Sequence, residues 1–162
     1  MFKVSFKEQP NNPSKAVKKM GKVTTVYLKG CVRLPEFFYN IPSEIADWMS
    51  SYSNKVEIYE NVSTHTMVVI SVGESKCRED DKYDTVLGER IAESRAKYQI
   101  YKFFYVLTCK LCNYYEKLLL GPNTHIINSG KNGLTDCMDK YKNLCIREAH
   151  HLGELLNTDD NG

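Results

Sequence analysis

Few residues of this chain stand in the types and spacings that chemistry requires. Cys109-Lys-Leu-Cys112 has the C-x-x-C spacing of a redox pair or of half a zinc site. Structural zinc wants four ligands, and neither Cys145 nor the His150-His151 pair repeats a paired spacing. Both cysteines fall in a helical pattern, where a thiol serves as a small hydrophobe, so no metal is expected. His65 and His125 have no nucleophile or carboxylate at a triad-like interval, and no serine stands in a glycine-flanked elbow. The pattern therefore signals no catalytic residue, no enzyme and no cofactor. What remains is Arg95, about three turns into an expected helix. A guanidinium there must find a carboxylate, a carbonyl or an anionic ligand, and its planar fork suits an internal ion pair and a ligand contact equally.

The stretch that positions Arg95 is Cys77 to Lys97, CREDDKYDTVLGERIAESRAK. An apolar strand runs into an acidic turn there, and the turn opens the helix. Asp84 is the expected N-cap, because its carboxylate can accept from the first free amides. Gly88, Ala92 and Ala96 recur at i, i+4 and i+8, a small-residue face that lets a sheet approach closely. From Ala92 through Ile100, Phe103, Leu107, Leu111 and Tyr114 to Leu118 the spacings of four and three continue as one apolar stripe, until Gly121-Pro122 stops it. After the turn-rich THIINSGKNG, the residues Leu134, Met138, Tyr141, Cys145, Ala149, Leu152 and Leu156 repeat the spacing. A linker of about a dozen residues permits an antiparallel hairpin or a swap onto a neighbouring chain.

Ahead of the junction the periodicity is two. Phe2, Val4 and Phe6 alternate with polar residues as a short first strand. Thr24, Val26, Leu28, Val32 and Leu34 share one face of a second strand, and Thr25, Tyr27, Lys29, Cys31 and Arg33 form its basic, aromatic reverse. Ser43 is expected to cap a short helix. Strands over Val56–Glu60 and Thr64–Lys76 follow, joined at Asn61–Ser63, with Thr66, Val68, Ile70 and Val72 as the apolar face of the later one. The fold class expected is α+β in a single domain over residues 1–162. It has an N-terminal antiparallel sheet of three to four strands (1–77), a long amphipathic helix over about 84–120, and a second over about 133–157.

The chain of 162 residues carries a net charge of +2, and residues 1–55 hold nine Lys/Arg against four Asp/Glu. That excess is too small for a duplex-DNA protein. No apolar run is long enough to span a membrane and no signal-peptide h-region opens the chain, so the expected location is the cytoplasm, with reduced cysteines. Asn61-Val62-Ser63 matches a glycosylation acceptor but reads as a turn. Tyr101, Phe104 and Tyr105 fall off the main stripe and widen the apolar surface, which leads to the expectation of a homo-oligomer, a dimer or larger.

The residues Cys77, Asp80, Asp81, Tyr83, Asp84, Gly88, Arg90, Ile91, Ala92, Arg95 and Ala96 resemble a pattern found in small phage-encoded proteins. Its usual form is Cys-Asn-Pro-Asp-Asp-x-Phe-Asp followed by Gly-x-x-Ile-Ala-x-x-Arg-Ala. Their placement also resembles the phage Thoeris anti-defence sponge family, whose members sequester cyclic ADP-ribose isomers and, in some cases, cyclic oligonucleotides. That family places a sheet before helices and assembles as oligomers. The resemblance implies a sponge acting in the bacterial host cytoplasm on a cyclic nucleotide ligand, with Arg95 and Asp80 as retained contacts. Where the family carries Asn and Pro, this chain has Arg78 and Glu79. Such a ligand presents a pyrophosphate, ribose hydroxyls and an adenine face. Arg95, Arg78, Lys29 and Arg33 would meet the phosphates, Asp80 the hydroxyls or the adenine amino group, and Tyr27 or Tyr83 the ring.

Three further classes compete. A protein inhibitor would use the helices and tyrosines against a host defence effector, and a single-stranded nucleic-acid binder would use the basic strand face with Tyr27. A plain assembly protein needs neither.

Overall fold

The computed structural model describes residues 4–6, 14–34, 41–52, 56–61, 64–77, 84–118 and 124–159. In chain order the elements are β1 (Lys15–Met20), β2 (Val23–Arg33), α1 (Ser43–Ser50), β3 (Val56–Asn61), β4 (Thr66–Lys76), α2 (Thr85–Leu118) and α3 (Thr124–Asp159). The fold is α+β. One sheet of order β1-β2-β4-β3, antiparallel throughout, precedes the two long helices. Among the described residues no helix is long and apolar enough to cross a membrane.

The expected strand through Phe2, Val4 and Phe6 is described only at residues 4–6. Ser5 makes only an isolated bridge to Cys31, exchanging two bonds of 2.9 Å, and Phe2 lies outside the described residues. The first true strand is β1, KAVKKM, which apolar alternation cannot reveal because its inward positions are Lys15, Val17 and Lys19. The two lysines are held by helix carboxylates: Lys15 Nζ reaches Glu89 at 3.0 Å and Glu93 at 3.2 Å, and Lys19 reaches Glu89 at 3.7 Å. Gly21, with φ of 57°, takes the first corner of the two-residue turn into β2. That corner of a type II′ hairpin needs a positive φ, which glycine adopts without strain.

β2 buries the face that its alternation implies, Thr24, Val26, Leu28 and Val32. β4 does the reverse of its expectation. Its covered residues are Met67, Val69, Ser71, Gly73 and Ser75, while Val68, Ile70 and Val72 lie part-exposed on the far side. The reason is proximity. A Cβ on Gly73 would stand 1.9 Å from the Ala92 carbonyl oxygen and 2.7 Å from the Ala96 nitrogen, so the α2 backbone lies directly on the strand. Only small residues admit such an approach, and Ala92 and Ala96 supply them from the helix with no exposed surface. Ser71 Oγ donates to the Ala96 carbonyl at 2.8 Å and Ser75 Oγ to the Gly88 carbonyl at 2.7 Å, so both hydroxyls are satisfied inside the seam.

Asp84 caps α2 as expected, with its Oδ1 accepting from Val86 N at 2.9 Å and Leu87 N at 3.1 Å. Ser43 does not cap α1. The extended Pro42 stands in the capping position, and its carbonyl accepts from Ile45 N and Ala46 N at 3.0 Å each, which puts Ser43 inside the first turn. Beyond Ala96 the α2 stripe thickens to Ile100, Phe103, Leu107 and Leu111, all fully buried, and Trp48 of α1 stacks on Phe103 at 5.8 Å.

A second α2 face meets α3. Phe104 stacks on Tyr141 at 5.2 Å, and Ser94 Oγ donates to Glu148 Oε1 at 2.6 Å. Those pairings run antiparallel. Phe104 thus finds its cover within the chain, and Phe6 meets Tyr101 edge-on at 6.0 Å. α3 begins at Thr124, about nine residues before its expected start: the glycines and asparagines of that stretch are a weak bias, and propagation adds a bond per residue to a helix already nucleated. Its buried positions are Leu134, Cys137, Tyr141 and Leu155, whereas Leu156 is 41% exposed and Ala149 is exposed. The stripe turns because Glu148 is drawn inward to Ser94.

Candidate functional site

The site lies along β4 beyond the residues that β3 pairs among the described residues. Leu34 N donates to the His65 carbonyl at 2.7 Å and Cys77 N to the Lys22 carbonyl at 3.0 Å. These two bonds fix the phase: the odd-numbered residues of β4 exchange bonds with β2, and the even-numbered ones turn their backbone toward β3. But β3 starts with Val56, opposite Ser71. Past that point the peptide groups of Glu74 and Lys76 have no strand partner among the described residues. Arg95 covers part of the gap, its Nη1 donating to the Glu74 carbonyl at 2.5 Å. Of the three partners expected for this guanidinium, the structure supplies the carbonyl, and among the described residues no carboxylate pairs with it.

Around this contact opens a cleft of about 780 Å³, with Glu74 and Lys76 from the strand edge, Arg95, Tyr98 and Gln99 from α2, and Leu152 from α3. Its volume falls in the ~300–1,000 Å³ range of small-molecule sites. The guanidinium carries five N–H donors and spends one on Glu74, so the rest of the fork can hold an anion. Tyr98 offers a ring, Gln99 an amide that both donates and accepts, Lys76 a second cation and Glu74 a carboxylate. Ser75 also lines the cleft, but its hydroxyl is committed to Gly88.

The helix is held in rotation from both sides. Glu89 and Glu93 face β1, where Lys97 adds a 3.0 Å pair to Glu93; Arg95, roughly 200° round the helix from Glu93, faces the β4 edge. The Lys15 ammonium is held above the ordinary lysine range, chiefly by its bond to Glu89 and against its partial burial. Burial works to raise the Glu93 carboxyl, but Lys97 and Lys15 together outweigh it and hold that group below its usual value.

Of the residues singled out in the sequence, Arg95 alone is seen in the cleft. Arg78, Asp80 and Tyr83 lie outside the described residues. Tyr27, Lys29 and Arg33 share the outer face of β2, opposite Val72, Ile70 and Thr66. Eight residues of β4, roughly 27 Å, separate Thr66 from the Glu74 carbonyl that Arg95 holds, so Arg33 does not join Arg95, and neither Tyr27 nor Lys29 lines the cleft. Tyr98 and Gln99 are not among the residues expected at the site, though a signal exists: they follow Arg95 by three and four residues, the spacing of one helix face. Cys112 and Cys137 are buried, and burial pushes the Cys145 thiol up to about 11. No set of three or more His, Cys, Asp or Glu among the described residues is placed to hold a metal.

Compared with known proteins, the chain matches no family model, no curated protein and no solved structure.

Proposed function

We propose that this chain is a phage anti-defence binding protein that captures a cyclic nucleotide signal, a cyclic ADP-ribose isomer or a cyclic oligonucleotide, in the cleft at the β4 edge and does not cleave it. The observation that carries the reading is the company Arg95 keeps: a guanidinium with free donors, a second cation at Lys76, the Tyr98 ring and the Gln99 amide around one open volume. A nucleotide needs those groups, namely charged donors for its phosphate, a ring face for its base and an amide for the base edge. The resemblance of residues 77–97 to the sponge family gives the reading its ligand class. Capture alone suffices for such a role, because a ligand held at sub-micromolar affinity, more than about 8 kcal/mol of binding, is withheld from its receptor.

Thermal unfolding against cyclic ADP-ribose isomers and cyclic di- and trinucleotides tests this. A ligand bound only by the native state at about a hundredfold above its Kd adds roughly 2.7 kcal/mol, which raises Tm by roughly 5–10 °C. The expected result is one such ligand, released intact on heating, whose effect Arg95→Ala removes without altering the far-UV circular dichroism. No shift with any member of the panel, or recovery of cleaved ligand, overturns the reading.

A further inference from the structure

Among the described residues the main helix packing falls on one side of the sheet: α1 and α3 both pack on α2, and α2 lies on the inner face. The outer face carries an apolar centre. Tyr27 stands opposite Val72, and Cys31 opposite Val68, which in turn faces Tyr59; Ile70 lies between. Tyr27 is 42% and Tyr59 54% exposed, and Cys31, Val68, Ile70 and Val72 are part-exposed. Alternation on β4 thus makes the face turned away from the helices the more apolar of the two.

Arg33 on β2 and Lys76 on β4 are also exposed on this face, and two further rows of charges form a pattern. The row Lys18–Thr25–Glu74 crosses β1, β2 and β4, and the row Lys29–Ile70–Glu57 crosses β2, β4 and β3. Each row carries a lysine on the β1–β2 side of the seam between the central strands and a glutamate on the other. Neither lysine and neither glutamate has an ion-pair partner among the described residues. A two-fold axis along that seam, with the faces opposed, lays the β1–β2 half of one copy over the β4–β3 half of the other. It brings each lysine over the half that carries the glutamates, and by symmetry does so twice.

From this we infer that the outer face is a self-complementary interface, and that its occupant is a second copy of this chain. The size fits. β2 and β4, eleven residues each, run roughly 37 Å, and β1 and β3, six each, roughly 20 Å; at roughly 4.8 Å of width per strand the planar footprint is roughly 550 Å² before side-chain relief is counted. That approaches the ~800 Å² per partner of a standard interface, with an apolar centre inside a charged rim. Aligned sheet packing about 10 Å apart suits side chains of these lengths. The same axis sets the second copy's Tyr27 over Val72, which lines the Arg95 cleft, so the interface borders that site without depending on its ligand.

Sedimentation velocity on the full chain, with circular dichroism as the check on folding, tests the inference. The wild type is expected to sediment as a dimer and Ile70→Lys as a folded monomer. Lys29→Glu and Glu57→Lys should each weaken the dimer roughly tenfold, since symmetry uses every pair twice, and the double exchange should restore it. A wild type that stays monomeric at every concentration overturns the proposal. So does a dimer that Ile70→Lys leaves intact, which would move the contact to another surface such as Ile146 on α3, and so does a double exchange that fails to restore association.

Discussion

The two faces of β4 differ in a direction opposite to their hydrophobicity. The covered face reads Met67, Val69, Ser71, Gly73, Ser75, and the uncovered one Val68, Ile70, Val72, Glu74. A helix chose the face with the smaller side chains. Close approach of α2 gives dense contact along two backbones and two buried serine bonds to helix carbonyls. Branched residues at the same positions would hold the helix off. Apolar character selects a face for burial, and side-chain size selects what can bury it.

The comparison breaks most sharply at Gly73. Gly73→Ala puts a methyl where the Ala92 carbonyl already stands, and the expected loss in urea unfolding is at least about 3 kcal/mol. Paired substitutions on the two faces come next. Met67→Ala, on the covered side with no exposed surface, should cost about 2–3 kcal/mol. Ile70→Ala should cost less than about 1 kcal/mol when measured at protein concentrations low enough for the chain to be monomeric. Equal costs would mean that the outer face is packed within the single chain.

The smallest effect is at the β1 edge. Glu93 has a lowered folded pKa, so its contribution is present above the ordinary glutamate range and is lost as pH falls through the folded value. Lys15 has a raised one, so its contribution is full below the ordinary lysine range and is lost as pH rises through the folded value. Both side chains keep a quarter to a third of their exposure, 26% and 34%, so the sum stays under about 1 kcal/mol. The stability difference between wild type and Lys15→Met should be flat from about pH 5 to about pH 9 and shrink at both ends.

The sequence made the long helix legible because its stripe is apolar at every turn and its cap is an aspartate. β2 was legible for the same reason, with five inward positions in strict alternation. β1 was not, since lysines occupy inward positions and their carboxylate partners lie seventy or more residues away. The covered face of β4 is not legible, because a hydrophobic count favours Val68, Ile70 and Val72, and nothing local records that Gly73 will meet Ala92. Arg95 stood out by its place in the junction. The cleft around it did not, because it lies along the β4 edge beyond the last residue paired with β3 among the described residues, a register between two strands that neither strand's own residues encode.

The seam between β4 and α2 also orders the chain in time. Ser75 reaches Gly88 across 13 residues, whereas Lys15 reaches Glu93 across 78. Loop-closure entropy grows as the logarithm of that span, so the first contact is easier to close by roughly 1.5 kcal/mol. The β4–α2 unit that carries Arg95 can therefore assemble as a local nucleus, and the N-terminal hairpin arrives afterwards on a scaffold whose cleft edge is already laid down.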